Sequence, residues 1–188
     1  MRDISLHLLD IVQNSIRAQA KLVKIKLSID NQHMLTLMVE DDGSGMDAEL
    51  ISNVQNPFTT TRIQRKIGLG LPLLTESAQR TGGDVSIDSL PDKGTVVKAI
   101  FYMNHIDCLP IGDITGTLLS LVVAYPLTPD FDFALEALGK AATLNTSNIK
   151  EALNGVPINE PEVIAWMKSS LEEEIQQVFG GTEYEIHR

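Results

Sequence analysis

Asp10 and Asn14 stand four residues apart, with Arg17 three further on. A helix through them stacks a carboxylate, an amide and a guanidinium on one face. An amide oxygen is a neutral ligand suited to Mg²⁺, which keeps several waters and borrows phosphate oxygens, and a carboxylate beside it can order or deprotonate a water. Such a face is equally what a solvated helix presents. A second group, Asp41-Asp42-Gly43-Ser44-Gly45-Met46, directly follows a strand-like run. Its glycines permit left-handed backbone and close approach of a flat ligand, and a carboxylate at a strand end can accept a hydrogen bond from an exocyclic amine. A tight turn explains the same residues, whereas an EF-hand loop is excluded by the missing acidic series and terminal Glu. The third group, Gly68-Leu69-Gly70-Leu71, stands before a helical segment, where amides and the positive helix end cradle phosphate. Just upstream, Thr59, Thr60, Thr61, Arg62, Arg65 and Lys66 put three hydroxyls and three cations within eight residues, as a phosphate lid requires. Neither a Walker loop nor a Rossmann fingerprint is present, since the Gly-Lys-Ser/Thr ending and the third glycine are missing.

These groups need elements to hold them. Ile4, Leu8, Ile11, Val12 and Ile16 recur at helical spacing, predicting an amphipathic helix from Asp3 to about Ala20 with the polar stripe opposite. Alternation predicts strands over Val23–Ile29 and Met34–Glu40, and a short helix begins at Asp47. A loop over about 55–70 carries the hydroxyls and cations. A helix over Leu71–Arg80 ends at Thr81-Gly82-Gly83, and strands follow over Asp84–Ser89 and Thr95–Tyr102 around a Pro91-Asp92-Lys93-Gly94 turn. Further on, Asp113 caps a helix over Ile114–Val123. Ala134–Leu138 has helix-forming composition, but the alternation of Phe131, Phe133, Leu135 and Ala137 favours reading Phe131–Thr146 as a hairpin turning at Gly139-Lys140, and Ser147–Leu153 and Glu160–Phe179 read as helices. Trp166 falls in the periodic part of the last helix and reads as core. Tyr184 is the other notable aromatic of this half, and Glu172-Glu173-Glu174 reads as a solvated face.

The 188 residues are 43% hydrophobic and 21% charged, a composition that buries a core and excludes disorder and low complexity. The net charge of -10 leaves no general basic surface, so neither nucleic acid nor an anionic membrane is an expected partner. That charge is uneven, with residues 1–103 near -1 and residues 104–188 near -9. Two units with a border near Met103–Pro110 are therefore expected. Cys108 is the single cysteine, which excludes an internal disulfide and a cysteine-built metal site. The longest apolar run, Leu118–Tyr125, is far below the roughly 20 residues of a membrane span, and no signal peptide is evident. A cytoplasmic protein is expected.

Taken in order, the motifs of residues 1–103 resemble the ATP-binding domain shared by histidine kinases, DNA gyrase, heat-shock chaperones and mismatch-repair ATPases, the GHKL superfamily or Bergerat fold. Residues 9–18 resemble its N box, Glu40–Met46 the G1 box, Pro57–Arg62 the F box and Gly68–Leu71 the G2 box, the last two most like those of histidine kinases. The resemblance implies an α+β fold with helices on a mixed sheet, followed by a small α+β C-terminal extension over 104–188. It implies ATP and Mg²⁺ as ligands, with Asn14 on the metal, Arg17 near the phosphates and Asp41 accepting the adenine amine. Gly43, Gly45 and Met46 shape the base pocket and Thr95 supports it, while Thr60, Thr61, Lys66, Gly68, Leu69 and Gly70 meet the triphosphate. The N-box acid is Asp10 where the family usually has Glu, so as a base for water it acts from further back. Lys66 replaces the usual first glycine of the G2 box. Little precedes the N box, so the phosphoacceptor segment of a sensor kinase is not expected, and His7 reads as structural.

Three functions are open on this reading: a Mg-ATP-dependent signalling component whose C-terminal half meets a protein partner, a protein kinase of the anti-sigma-factor type, and a simple ATP hydrolase. A kinase needs a docked acceptor in line with the γ-phosphate and a hydrolase a well-placed water base, and neither leaves a decisive motif.

Overall fold

The computed structural model describes residues 2–55 and 70–180. Helix α1, Ile4–Arg17, starts at Asp3, whose Oδ1 accepts the Leu6 N–H at 2.9 Å. It ends sooner than the periodicity suggests. Gln19 takes a left-handed φ of 59°, and the N–H groups of Gln19 and Ala20 turn back to the carbonyls of Ile16 and Ser15. This Schellman-type closure redirects the chain into the first strand.

Strands β1 (Leu22–Ile29) and β2 (Met34–Asp41) pair antiparallel, and α2 (Ala48–Gln55) follows. Helix α3 spans Gly70–Arg80, and β3 (Asp84–Leu90) and β4 (Gly94–Tyr102) form a second antiparallel pair. Then come α4 (Ile114–Ala124), β5 (Asp130–Ala137), β6 (Lys140–Asn145), α5 (Thr146–Ala152) and α6 (Pro161–Phe179). All six strands join one mixed sheet in the order β3-β4-β2-β1-β5-β6. The fold is α+β, as expected.

The sheet runs through the expected border near residue 103. β5 lies parallel to β1 over its full length, from Leu22↔Asp130 to Ile29↔Ala137. One face of the sheet is buried: Val23, Ile25, Leu27, Leu35, Leu37, Val39, Val97, Ala99, Phe101, Phe131 and Phe133 project there in register. Helices α3, α1, α4 and α6 form a row, α3 against β3 and β4, α1 against β2, and α6 against β5 and β6. Truncating one of these large side chains, for example Phe101→Ala, costs about 3–5 kcal/mol.

Polar ties also cross the border. The first N–H groups of α1, which have no partner within the helix, are taken up by the C-terminal half: Ile4 donates to Pro110 O at 3.0 Å and Ser5 to Ile111 O at 2.9 Å.

Two readings of the C-terminal half are corrected. The β5–β6 turn is Leu138-Gly139, one residue earlier than expected, because both carry positive φ (50° and 80°) as a two-residue type I′ loop requires. Trp166 is 56% exposed, not core. Met167, Leu171, Ile175 and Val178 define the buried stripe of α6, and position 166 lies about 100° round the helix from Met167. Tyr184 lies outside the described residues.

Candidate nucleotide site

Where α1, β2 and β4 converge, the chain leaves a cavity of about 200 Å³ that α3 closes from one side. Asp41, the last residue of β2, is its acidic group. The carboxylate is 91% buried yet well held, since Ser15 Oγ donates to Oδ2 at 2.7 Å and the Gly43 N–H to Oδ1 at 2.9 Å. Two carboxylate oxygens offer about four lone-pair sites, so acceptor capacity remains for a ligand donor.

The loop after Asp41 is fixed at each step. Asp42 Oδ1 accepts the N–H groups of Lys21 at 2.7 Å and Leu22 at 2.9 Å. Partial burial pushes the Asp42 carboxyl up, but these backbone donors outweigh it and hold it below the usual carboxylate range. Ser44 donates to Ala18 O and receives Asp92 N–H on its own carbonyl, linking the loop to the end of α1 and to the β3–β4 turn. Gly45 needs its residue type twice over: its φ is 64°, and a Cβ there would lie 2.0 Å from Leu90 O. The next N–H, of Met46, is held by Ser89 Oγ at 2.8 Å, and that hydroxyl also sits 2.8 Å from Thr95 Oγ1. Thr95 is the cross-strand partner of Asp41.

Helix α1 supplies the opposite wall. Ile11, Asn14, Ser15 and Arg17 line the cavity, and Arg17 Nη1 donates to Asn14 Oδ1 at 3.4 Å. Asp10 sits one turn before Asn14 and packs under the first residue of α3. A Cβ on Gly70 would come within 2.9 Å of Asp10 Cβ and 3.1 Å of its Oδ2, so only glycine lets the two helices meet here. Leu71, next in α3, reaches the cavity.

Of the residues named from the sequence, Asn14, Arg17, Asp41, Gly45, Met46 and Thr95 come together on this cavity. Gly43 stands behind Asp41, and Asp10 and Gly70 form the adjoining helix contact. Thr60, Thr61, Lys66, Gly68 and Leu69, with Thr59, Arg62 and Arg65, lie outside the described residues. Sequence reasoning missed Ser15 and Ser89, two small polar residues with no distinguishing spacing. It also missed the apolar lining from Ile11, Leu50, Leu71 and Val97. His7 is fully buried on α1, its Nε2 3.1 Å from Ser77 Oγ of α3, and burial pushes its pKa down to about 4.

The cavity is smaller than the about 300–1,000 Å³ typical of whole-ligand pockets. It has room for a flat ring beside Asp41, and Asn14 and Arg17 stand on its α1 wall. Among the described residues no three His, Cys, Asp or Glu side chains cluster as a metal cage. Asn14, with Asp10 one turn away, fits an ion that takes most of its oxygens from phosphate and water, as Mg²⁺ does. No described helix is long and apolar enough to cross a membrane.

Residues 2–105 match the family described as histidine kinase-, DNA gyrase B- and HSP90-like ATPase. A putative sensor protein of Shewanella frigidimarina is 31% identical over 104 residues, which are 53% of this chain and 16% of that protein. The signal transduction histidine-protein kinase AtoS of Escherichia coli is 32% identical over 101 residues, 52% of this chain and 16% of that one. The chain thus spans about a sixth of the length of these relatives. Among solved structures, the N-terminal domain of a DNA repair protein superposes with a TM-score of 0.51 at 15% identity, covering 77% of this chain and 53% of that one. This likeness is one of fold.

Proposed function

The chain belongs to the histidine kinase-, DNA gyrase B- and HSP90-like ATPase family, and on that footing we propose that it is a signalling protein that binds ATP with Mg²⁺ in the cavity between α1, β2 and β4. The observation that carries this reading is Asp41: a buried carboxylate, oriented by Ser15 and Gly43, with acceptor capacity left for an exocyclic amine. Asn14 would hold the metal and Arg17 would face the phosphates. Bound Mg²⁺ supplies charge neutralisation for the triphosphate. Asp10 is the candidate base for water, and the loop carrying Arg62, Arg65 and Lys66 is the proposed lid.

The acidic C-terminal half is proposed to meet a protein partner. Its support is the concentration of charge in residues 104–188 and, on α6, Trp166 exposed on the same side of the helix as Glu162 and Glu173. Transfer of the γ-phosphate to such a partner is the second reading. It is favoured by the complete burial of His7, which removes the histidine of α1 as an acceptor.

Incubation with γ-labelled ATP and Mg²⁺, with and without candidate partners, separates the readings. Label retained on bound ATP supports a nucleotide-dependent switch, label on protein a kinase, and free phosphate a hydrolase. Absence of any ATP binding overturns all three.

A further inference from the structure

Ser89 lies on the edge strand β3, is not among the residues lining the cavity, and carries no signal in the sequence. Three contacts converge on its hydroxyl: Met46 N–H at 2.8 Å, Gly94 O at 2.9 Å and Thr95 Oγ1 at 2.8 Å. A hydroxyl has one proton to give and two lone pairs to receive. The Gly94 carbonyl can only accept, so it takes the Ser89 proton. The Met46 N–H can only donate, so it fills one lone pair. The contact with Thr95 must then use the proton of Thr95.

That assignment fixes what Thr95 shows the cavity. With its proton spent on Ser89, Thr95 presents lone pairs alone, directly across the strand pair from Asp41, which likewise only accepts. We infer that Ser89 is a positioning residue that sets the polarity of the base pocket: by taking the Thr95 proton it makes this wall all-acceptor, so that the wall selects a base edge carrying an exocyclic amine over one carrying a carbonyl. The inference rests on the ATP reading above and adds a residue and a mechanism of discrimination to it. Without Ser89 the Thr95 hydroxyl is free to turn its proton into the cavity, where it opposes an amine and welcomes a carbonyl.

The test compares ATP with inosine triphosphate, whose base carries a carbonyl in place of the amine and an N1–H in place of the N1 lone pair. Affinities are measured by calorimetry for the unmodified protein, Ser89→Ala and Ser89→Thr. The unmodified protein prefers ATP. Ser89→Ala narrows that preference by about tenfold or more, as expected where polar pairing decides selection, while Ser89→Thr, which keeps the hydroxyl, retains it. Equal weakening of both nucleotides in Ser89→Ala overturns the inference, because a merely structural role for Ser89 predicts that outcome. An unchanged ratio overturns it too. If Ser89→Ala loses its fold by circular dichroism, Ser89→Cys, a weaker acceptor of similar shape, takes its place and must also narrow the preference. If the unmodified protein binds both nucleotides equally, the ATP reading stands and this inference falls; if it binds neither, both fall.

Discussion

Ser15 Oγ donates to Asp41 Oδ2 at 2.7 Å, joining the last turn of α1 to the end of β2 in a bond buried at both ends. With the Gly43 N–H on the other oxygen, it holds the carboxylate in one orientation before any ligand arrives. The group proposed to recognise the base is thus preorganised by two residues outside the base contact itself.

Asp41→Asn tests the recognition. An amide in this place puts its NH₂ where one of the two carboxylate oxygens was, beside either the Ser15 hydroxyl or the Gly43 N–H, and takes away both the negative charge and one acceptor atom that a ligand amine would use. Loss of a charge-assisted hydrogen bond costs about 1.5–3 kcal/mol, so ATP affinity should fall by roughly 10- to 100-fold in calorimetry. Unchanged affinity removes Asp41 from the base site.

Ser15→Ala probes the support. It leaves a buried carboxylate oxygen without its hydroxyl donor, a cost of about 1–3 kcal/mol that should lower the midpoint of urea unfolding. An unaltered midpoint means that the 2.7 Å bond contributes nothing net to stability.

Asn14→Ala tests the metal assignment. ATP binding in the presence of Mg²⁺ should weaken to the level seen with EDTA, whereas binding in EDTA should scarcely change, because the base contacts are untouched. If the variant keeps the full response to Mg²⁺, the ion is held elsewhere.

How much of this was readable in the sequence depended on the range of the interactions. The period of α1, the alternation of β1 and β2 and the turn residues around Gly94 are local, and each predicted its element. The pairing of Val23 with Phe131 joins positions over a hundred residues apart, and no local pattern marks it. Trp166 was misplaced because an apolar residue in a periodic helix looks like core, although the register of the stripe through Met167 puts it on the outer side. In the site, the charged and glycine positions were legible because few residue types can do their work. Ser15 and Ser89 were not, since a serine acquires its role only from what folding brings to its hydroxyl.

His7 makes stability depend on pH. Its folded pKa is lowered from 6.5 to about 4, so between these values the unfolded chain binds a proton that the folded one does not. No contribution arises above about pH 6.5; stability falls as pH drops from there and levels off near pH 4, with a total of roughly 3 kcal/mol. His7→Gln should flatten the urea midpoint over this window. An equally steep fall in the variant assigns the dependence to other groups.

Removal of residues 104–188 tests how far the nucleotide half stands alone. Truncation strips β1 of its parallel partner along its whole length, takes Phe131 and Phe133 out of the core, and leaves the Ile4 and Ser5 N–H groups without the Pro110 and Ile111 carbonyls. A bare hydrophobic edge strand invites association, and a core opened along one side loses cooperativity. The 1–103 fragment should therefore aggregate or melt without a sharp transition, whereas the full chain melts in one step. A fragment that stays monomeric, unfolds cooperatively and binds ATP as the full chain does shows instead that β5 and β6 are dispensable to the site.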